Sequence, residues 1–222
     1  MSRTPVFIVC STRPFVGKTL LSRLLCEFLL LQRHDVVGFD LNLKEPSLVD
    51  FLPEVTETAD VMDTYGKIQL MERLIVNDGI GKVVDLGFHA YDEFFKMIEE
   101  IGFFKEATRR GVDPIVMFIA DSDRMSGASF ARLRRTFATF PIVPVDNEQV
   151  LQGEPPASYD GLATLRIRAL PPFLKTYTER RSFSFTGFLR QDTDQSSELN
   201  QWIRRNYLAF REIELNLYRY SG

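Results

Sequence analysis

The side chains best suited to chemistry occur in one short stretch near the start of the chain. Residues 11–19 read STRPFVGKT, which matches the phosphate-binding pattern GxxxxGK(S/T) except at its first glycine, where Thr12 stands. Unpaired N–H groups at a helix N-terminus attract an anion. Gly17 would let the backbone close around a phosphate, Lys18 would reach the β- and γ-phosphates of a nucleotide, and the Thr19 hydroxyl would hold Mg²⁺. The stretch therefore predicts a phosphate-binding loop, with an ordinary structural turn as the alternative.

Three residues of this loop are unusual for a phosphate-binding loop. Pro14 has no N–H group to donate to a phosphate, and Thr12 and Phe15 replace residues that are commonly glycine. The loop must therefore follow a backbone path that side chains tolerate. Weaker binding than usual, or binding without hydrolysis, stays open. The candidate nucleotide-binding residues of the loop are Thr12, Arg13, Pro14, Phe15, Val16, Gly17, Lys18, Thr19 and Leu20.

Two aspartates follow apolar, strand-like runs further along the chain. Asp40 ends the run VVGFD, and Asp85 ends the run KVVD. Ligands of open α/β sheets bind at the carboxyl ends of parallel strands, where both side chains would lie. Asp85 is placed to hold Mg²⁺ through water, so Thr19, Asp85 and Asp40 are the candidate metal-site residues. The alternative is that each aspartate caps the turn or helix that follows it.

The hydrophobic pattern predicts the elements that would position these residues. Apolar, β-branched runs predict strands over 5–10, 35–41, 81–86, 114–120, 141–145 and 163–170. Helical spacing predicts helices over 19–33, 67–76, 92–110, 126–140 and 197–217, and 147–161 is typical of a loop. A strand, a long helix and a second strand form a βαβ unit, whose strands are parallel. We predict a single three-layer α/β domain over 1–222 with a mostly parallel sheet.

Composition narrows the class of protein. Of the 222 residues, 45% are hydrophobic and 26% are charged, and the net charge of −3 disfavours general nucleic-acid binding. The longest apolar stretch, 115–120, is far shorter than the roughly 20 residues that span a bilayer. Cys10 and Cys26 show no metal spacing, and His34 and His89 occur singly, so no metal cluster is expected. We expect a cytoplasmic protein whose histidines have surface or turn roles.

Three segments, FIVCSTRPFVGKT, VVGFDLN and KVVDLG, resemble the ParA/MinD-type P-loop ATPases of the SIMIBI class and their relatives, the dethiobiotin synthetases and cobyrinate amidases. The resemblance implies a P-loop NTPase-like fold that binds ATP and Mg²⁺. Arg13 stands where the family carries a lysine that reaches the partner's nucleotide in a dimer. Asp40 matches the aspartate that positions the attacking water, so Asp40, Lys18 and Arg13 are the implied catalytic residues. Asn147 and Pro172 stand where the family places residues beside adenine.

The ParA/MinD resemblance also implies a function. It predicts an ATPase whose ATP-bound homodimer takes part in partitioning or positioning of DNA or of a protein complex. The spacing within the loop is close to that of dethiobiotin synthetases, so an ATP-dependent synthetase or amidoligase is an alternative function. Because the loop is altered, a non-hydrolysing nucleotide-binding adaptor is a further alternative. MinD-like proteins end in an amphipathic membrane-binding segment. Here Glu198, Glu212 and Glu214 dilute the positive charge of the last helix, so membrane contact is not expected.

Overall fold

Seven short strands form one sheet in the computed structural model, which describes residues 3–32, 35–43, 47–151, 154–191 and 194–220. The strands are β1 Thr4–Cys10, β2 Val36–Asp40, β3 Thr56–Thr58, β4 Gly81–Asp85, β5 Val112–Ile119, β6 Ile142–Asn147 and β7 Leu165–Ile167. They lie in the order β3-β2-β4-β1-β5-β6-β7, and every neighbouring pair is parallel. Their carboxyl ends therefore meet at one edge of the sheet.

Helices cover both faces of the sheet and enclose two hydrophobic cores. Successive residues of a strand point to opposite faces, so Val6 and Ile8 of β1 belong to one core and Phe7 and Val9 to the other. This arrangement confirms the predicted three-layer α/β fold with a parallel sheet. The helices are α1 Lys18–Leu31, α2 Leu48–Phe51, α3 Thr64–Leu74, α4 Tyr91–Glu100, α5 Phe103–Arg109, α6 Arg124–Thr136, α7 Pro172–Thr178, α8 Phe185–Gln191 and α9 Glu198–Tyr220, with 3₁₀ turns at Phe88–Ala90 and Ala157–Tyr159.

The last helix, α9, packs its apolar side against the sheet. Ile203 and Phe210 are fully buried, and Trp202 and Tyr207 are nearly so, in the core that also contains the apolar face of α1. The indole Nε1 of Trp202 donates a hydrogen bond of 2.8 Å to the carbonyl of Arg168. Packing on the sheet therefore explains the aromatic face of this helix. Within the described part of the chain, no helix combines the length and apolar character needed to cross a bilayer.

The structure departs from the predicted elements at sharp turns and at short elements. The helix predicted over 92–110 is two helices, α4 and α5, because Gly102 between them takes a left-handed conformation with φ +61°. The pattern does not predict α2, β3, α7 or α8, since three to seven residues carry little periodicity. Strand β7 spans Leu165–Ile167 rather than 163–170. The predicted end of the first helix, at Arg33, lies outside the described residues.

Candidate phosphate-binding site

The loop between β1 and α1 leads into the N-terminus of α1. Gly17, the residue before the helix, has φ +93°, and an added Cβ would lie 2.3 Å from Asn147 Nδ2. Both the conformation and the lack of space therefore require glycine. Phe15 is the one described non-glycine residue with positive φ, +57°, and its side chain is 88% exposed. The first N–H groups of α1 have no partner within the helix and are available to an anion.

Two adjoining cavities open beside this loop. The larger, about 760 Å³, is lined by six of the nine predicted loop residues, which are Pro14, Phe15, Gly17, Lys18, Thr19 and Leu20. Val16 is instead buried in the core. The smaller cavity, about 220 Å³, shares Thr19 and Leu20 with the larger one and extends to Ile167, Leu170 and Trp202. The loop therefore borders both the larger cavity, called the cleft below, and the smaller recess beside it.

Lys18 reaches back across the loop that precedes it. Its Nζ donates a hydrogen bond of 2.8 Å to the carbonyl of Arg13. Burial lowers the pKa of Lys18, while the nearby carboxyl of Asp85 opposes that change. The ammonium group thus lies at the centre of the loop, with a carboxyl close by. This is the position from which a lysine can contact phosphate oxygens.

Thr19 and Asp85 are joined directly at the floor of the cleft. The Thr19 hydroxyl donates to Asp85 Oδ2 at 2.8 Å and lies 2.9 Å from the hydroxyl of Ser47. Burial raises the pKa of Asp85 to about 6; the hydrogen bond from Thr19 opposes the rise, and the charge of Asp40 adds to it. A cation bound at this point would stabilise the ionised form of Asp85.

The donor atoms gathered here suit Mg²⁺. Thr19 and Ser47 offer hydroxyls and Asp85 a carboxylate, and Mg²⁺ prefers such oxygen ligands. Among the described residues, no cluster of three or more His, Cys, Asp or Glu forms a metal site by itself. A nucleotide-bound magnesium ion needs only one or two carboxylates, because phosphates and water supply its other ligands. The residues present therefore fit that ion.

Asp40 lies at the end of β2 and is fully buried. Its Oδ1 accepts the backbone N–H of Asn42, and its Oδ2 accepts those of Ser47, Leu48 and Val49 at 2.9, 2.8 and 3.3 Å. These bonds correspond to the capping alternative. In this conformation both oxygens of the carboxylate are bonded to backbone N–H groups, those of residues 42 and 47–49. Its role in orienting water stays a prediction.

Arg13 is held within its own chain. Its Nε donates to Asp121 Oδ2 at 3.0 Å, and its Nη2 lies 3.5 Å from Asp123 Oδ2. Asp123 also accepts the N–H of Met125 at the start of α6. The Arg13 side chain stays 46% exposed despite these ion pairs. A guanidinium at the rim of the site is therefore present, as the resemblance predicts, and it is paired with two carboxylates.

The two residues predicted beside adenine occupy different positions. Asn147 lies at the cleft, and its Nδ2 donates to the carbonyl of Val16 at 2.9 Å, so its amide supports the loop. Pro172 is exposed as the first residue of α7. Leu170 and Lys175, on either side of it, line the smaller cavity. The structure thus brings Asn147 and the segment around Pro172 to the same recess.

Some residues at the site are not predicted from the sequence. Ser47 lies in the cleft, but a lone serine 28 positions after Thr19 belongs to no motif. Arg23 lines the smaller cavity, stacked 3.8 Å from the centre of the Phe51 ring, although its position in a helical pattern indicates only a solvent-facing charge. His89 is exposed at the cleft with its ring against Phe88. His34 lies outside the described residues.

The fold of this chain is similar to those of several solved structures. MinD cell division protein from Aquifex aeolicus aligns with a TM-score of 0.52 and 17% identity, over 95% of this chain and 97% of that one. A chain of the MinC:MinD cell division protein complex from the same organism gives 0.46 and 17%, over 95% and 96%. A plasmid partition protein from Borrelia burgdorferi gives 0.49 and 12%, over 97% and 99%.

The chain has an α/β fold with a parallel sheet, similar to that of P-loop NTPases. More narrowly, the chain has the fold of the ParA/MinD-type P-loop ATPases, which confirms the resemblance seen in three segments of its sequence. The sequence matches no protein-family model, and no curated protein sequence is significantly similar to it.

Proposed function

We propose that this chain is a cytoplasmic ATPase of the ParA/MinD type, which binds Mg²⁺-ATP and uses the bound state to form a homodimer. The observation that carries the proposal is the 2.8 Å hydrogen bond between Thr19 and Asp85, beside a lysine and a left-handed glycine at the start of α1. Positioning of DNA or of a protein complex is the output that the family resemblance supports. Its neighbours in fold include a cell division protein.

Each part of the site has a proposed task. The N–H groups at the start of α1 and the Lys18 ammonium would bind the phosphates, and Thr19 and Asp85 would hold Mg²⁺. When bound, the ion would neutralise phosphate charge. The smaller cavity next to Leu20 would take the nucleoside, with Asn147 at its border and Pro172 on the segment that forms its wall. Arg13 would contact the partner's nucleotide after leaving its two carboxylates.

A second function has a specific observation in its favour. The buried Asp40 carboxylate already accepts four backbone N–H groups, and the exposed Phe15 offers an apolar contact beside the loop. Both features suit an adaptor that binds nucleotide without hydrolysing it. Measuring the conversion of ATP to ADP and phosphate distinguishes the two functions, since the ATPase should show turnover and the adaptor should not.

Nucleotide-dependent thermal stability tests the proposal directly. The melting temperature should rise with Mg²⁺-ATP, because a ligand at about 100 times its Kd stabilises the native state by roughly 2.7 kcal/mol. Lys18→Ala should abolish the rise. Lys105→Ala removes an exposed lysine on α5, away from the cleft, and should leave the rise intact. ADP and GTP in parallel samples report the preference for base and γ-phosphate.

Gel filtration of the same samples tests dimerisation. A dimer peak that needs Mg²⁺-ATP supports the ParA/MinD proposal, whereas stabilisation without a dimer favours the ATP-dependent synthetase or the adaptor. If Lys18→Ala shows the same ATP-dependent rise as the unmodified protein, the phosphate-loop assignment is wrong. If no nucleotide changes the melting temperature, nucleotide binding itself is excluded at the concentrations tested.

A further inference from the structure

Ser47 occupies the position before α2, yet its hydroxyl does not cap that helix. A serine at this position ordinarily accepts an N–H from the first turn of its helix. Here Asp40 does so instead, since its Oδ2 accepts the N–H groups of Ser47, Leu48 and Val49. A carboxylate on β2 therefore fixes the backbone of this segment and leaves the Ser47 hydroxyl available for another contact.

That hydroxyl points to the floor of the cleft. Ser47 Oγ lies 2.9 Å from Thr19 Oγ1, and the Thr19 hydroxyl donates to Asp85 Oδ2 at 2.8 Å. A hydroxyl has a single proton, so Ser47 is the donor to Thr19. The result is a chain of three oxygens, from the segment before α2, from α1 and from the end of β4. All three residues line the same cleft.

We infer that the Ser47 hydroxyl is a third protein oxygen at the magnesium site, and that Asp40 is the positioning residue that holds it there. This rests on the proposed function, because Thr19 and Asp85 are assigned to Mg²⁺ through it. Mg²⁺ takes six hard oxygen ligands at about 2.0–2.1 Å. When the ion binds, the hydroxyls of Ser47 and Thr19 would turn their lone pairs to it.

Metal affinity measured apart from turnover tests the inference. The protein is saturated with the non-hydrolysable analogue AMP-PNP, and Mn²⁺, a paramagnetic substitute for Mg²⁺, is titrated while free Mn²⁺ is followed by electron paramagnetic resonance. Ser47→Ala should weaken Mn²⁺ binding by about tenfold, in the range found when metal-site partners are removed. Ser47→Thr keeps the hydroxyl and should retain most of the affinity. Ser129→Ala, which removes the hydroxyl of a half-buried serine on α6, is the matched control.

A change of metal shows whether the contact is direct. Ser47→Cys replaces a hard oxygen by a soft sulfur, so it should bind Mn²⁺ poorly and Cd²⁺ more tightly than the unmodified protein does. A residue that only supports the loop would not change the preference between metals. For Asp40, the variant Asp40→Asn should weaken Mn²⁺ binding, with no further loss when it is combined with Ser47→Ala.

The outcomes separate the two proposals. Unchanged Mn²⁺ affinity in Ser47→Ala, or no gain for Cd²⁺ in Ser47→Cys, overturns the Ser47 assignment while nucleotide binding stands. AMP-PNP affinity measured in EDTA should be the same for Ser47→Ala and the unmodified protein; a parallel loss there would mean that Ser47 acts on the loop and not on the metal. If the unmodified protein binds no AMP-PNP, both proposals fall.

Discussion

At the scale of single residues, Asp85 is a buried carboxyl whose surroundings disfavour its charged form. The carboxyl is 2% exposed and has Asp40 nearby, and its pKa is raised to about 6. Burial disfavours the charged form of this carboxyl by more than the nearby Lys18 ammonium favours it, so at neutral pH the ionised group destabilises the fold. A bound cation would favour the ionised form of Asp85, so the raised pKa is consistent with the magnesium ion proposed above.

Asp85→Asn should accordingly stabilise the metal-free protein. The pKa is about 6 in the native state against an ordinary 3.8, so the native state binds more protons between these values and the unmodified protein loses stability as pH rises through that range. In EDTA at pH 7–8 the variant should be more stable by about 3 kcal/mol, and the difference should shrink towards pH 4. Urea unfolding at several pH values measures this.

Asp160→Asn, a change at an exposed position, controls for the loss of one charge and should show no such pH-dependent gain. A variant Asp85→Asn that is less stable than the unmodified protein at pH 8 in EDTA would contradict the argument. It would mean that the hydrogen bond from Thr19 outweighs the burial of the charge.

The sequence predicts part of this site for a clear physical reason. Gly17, Lys18 and Thr19 are contiguous, and Asp85 ends an apolar strand, so their proximity follows from the rule that parallel strands end at one edge. Ser47 and the ion pairs of Arg13 do not follow from any spacing, because they depend on how loops fold over that edge. The sequence predicts that Asp40 ends a strand, as it does in β2, whereas the four backbone N–H groups that it accepts among the described residues are visible only in the structure.

Among the elements, α1 links the phosphate loop to the far end of the chain. Two buried charged side chains on this helix make the link: Arg23 donates to the carbonyls of Thr178 and Phe183, and Glu27 accepts from Ser184 and Thr186. The segment joining α7 to α8 is thus tied to the helix that begins at the loop. Helical periodicity predicts α1, but partners more than 150 residues away leave no local signal.

Glu27→Ala should weaken this link. It leaves the buried N–H of Thr186 without its acceptor, which costs about 2 kcal/mol in free energy of unfolding, and it removes the partner of the exposed Ser184 hydroxyl. Glu27→Gln keeps an acceptor and should lose less. Glu99→Ala, at an exposed position on α4, is the matched control for urea unfolding. Equal stability of Glu27→Ala and the control would show that the link carries no net stability.

At the scale of the whole molecule, strand order decides which groups meet. The order β2-β4-β1-β5-β6 places Asp40, Asp85, the phosphate loop, Asp121 and Asn147 in succession along one edge of the sheet. The loop after β1 therefore has Asp40 and Asp85 on one side and the carboxylates that pair with Arg13 on the other. The motif within the loop does not predict which groups lie on its two sides, because the order of the strands in the sheet cannot be inferred from their order along the chain.

This topology makes Arg13 the residue that should separate nucleotide binding from dimerisation. Its guanidinium lies outside the cleft lining, so Arg13→Ala should leave AMP-PNP binding nearly unchanged. Under the proposed function the same variant should lose the nucleotide-dependent dimer, measured by light scattering during gel filtration with Mg²⁺-AMP-PNP. Arg132→Ala, which removes another exposed arginine paired with an aspartate, should still dimerise. A dimer that persists in Arg13→Ala would show that the arginine serves its own loop and its two carboxylates, and contacts no partner's nucleotide.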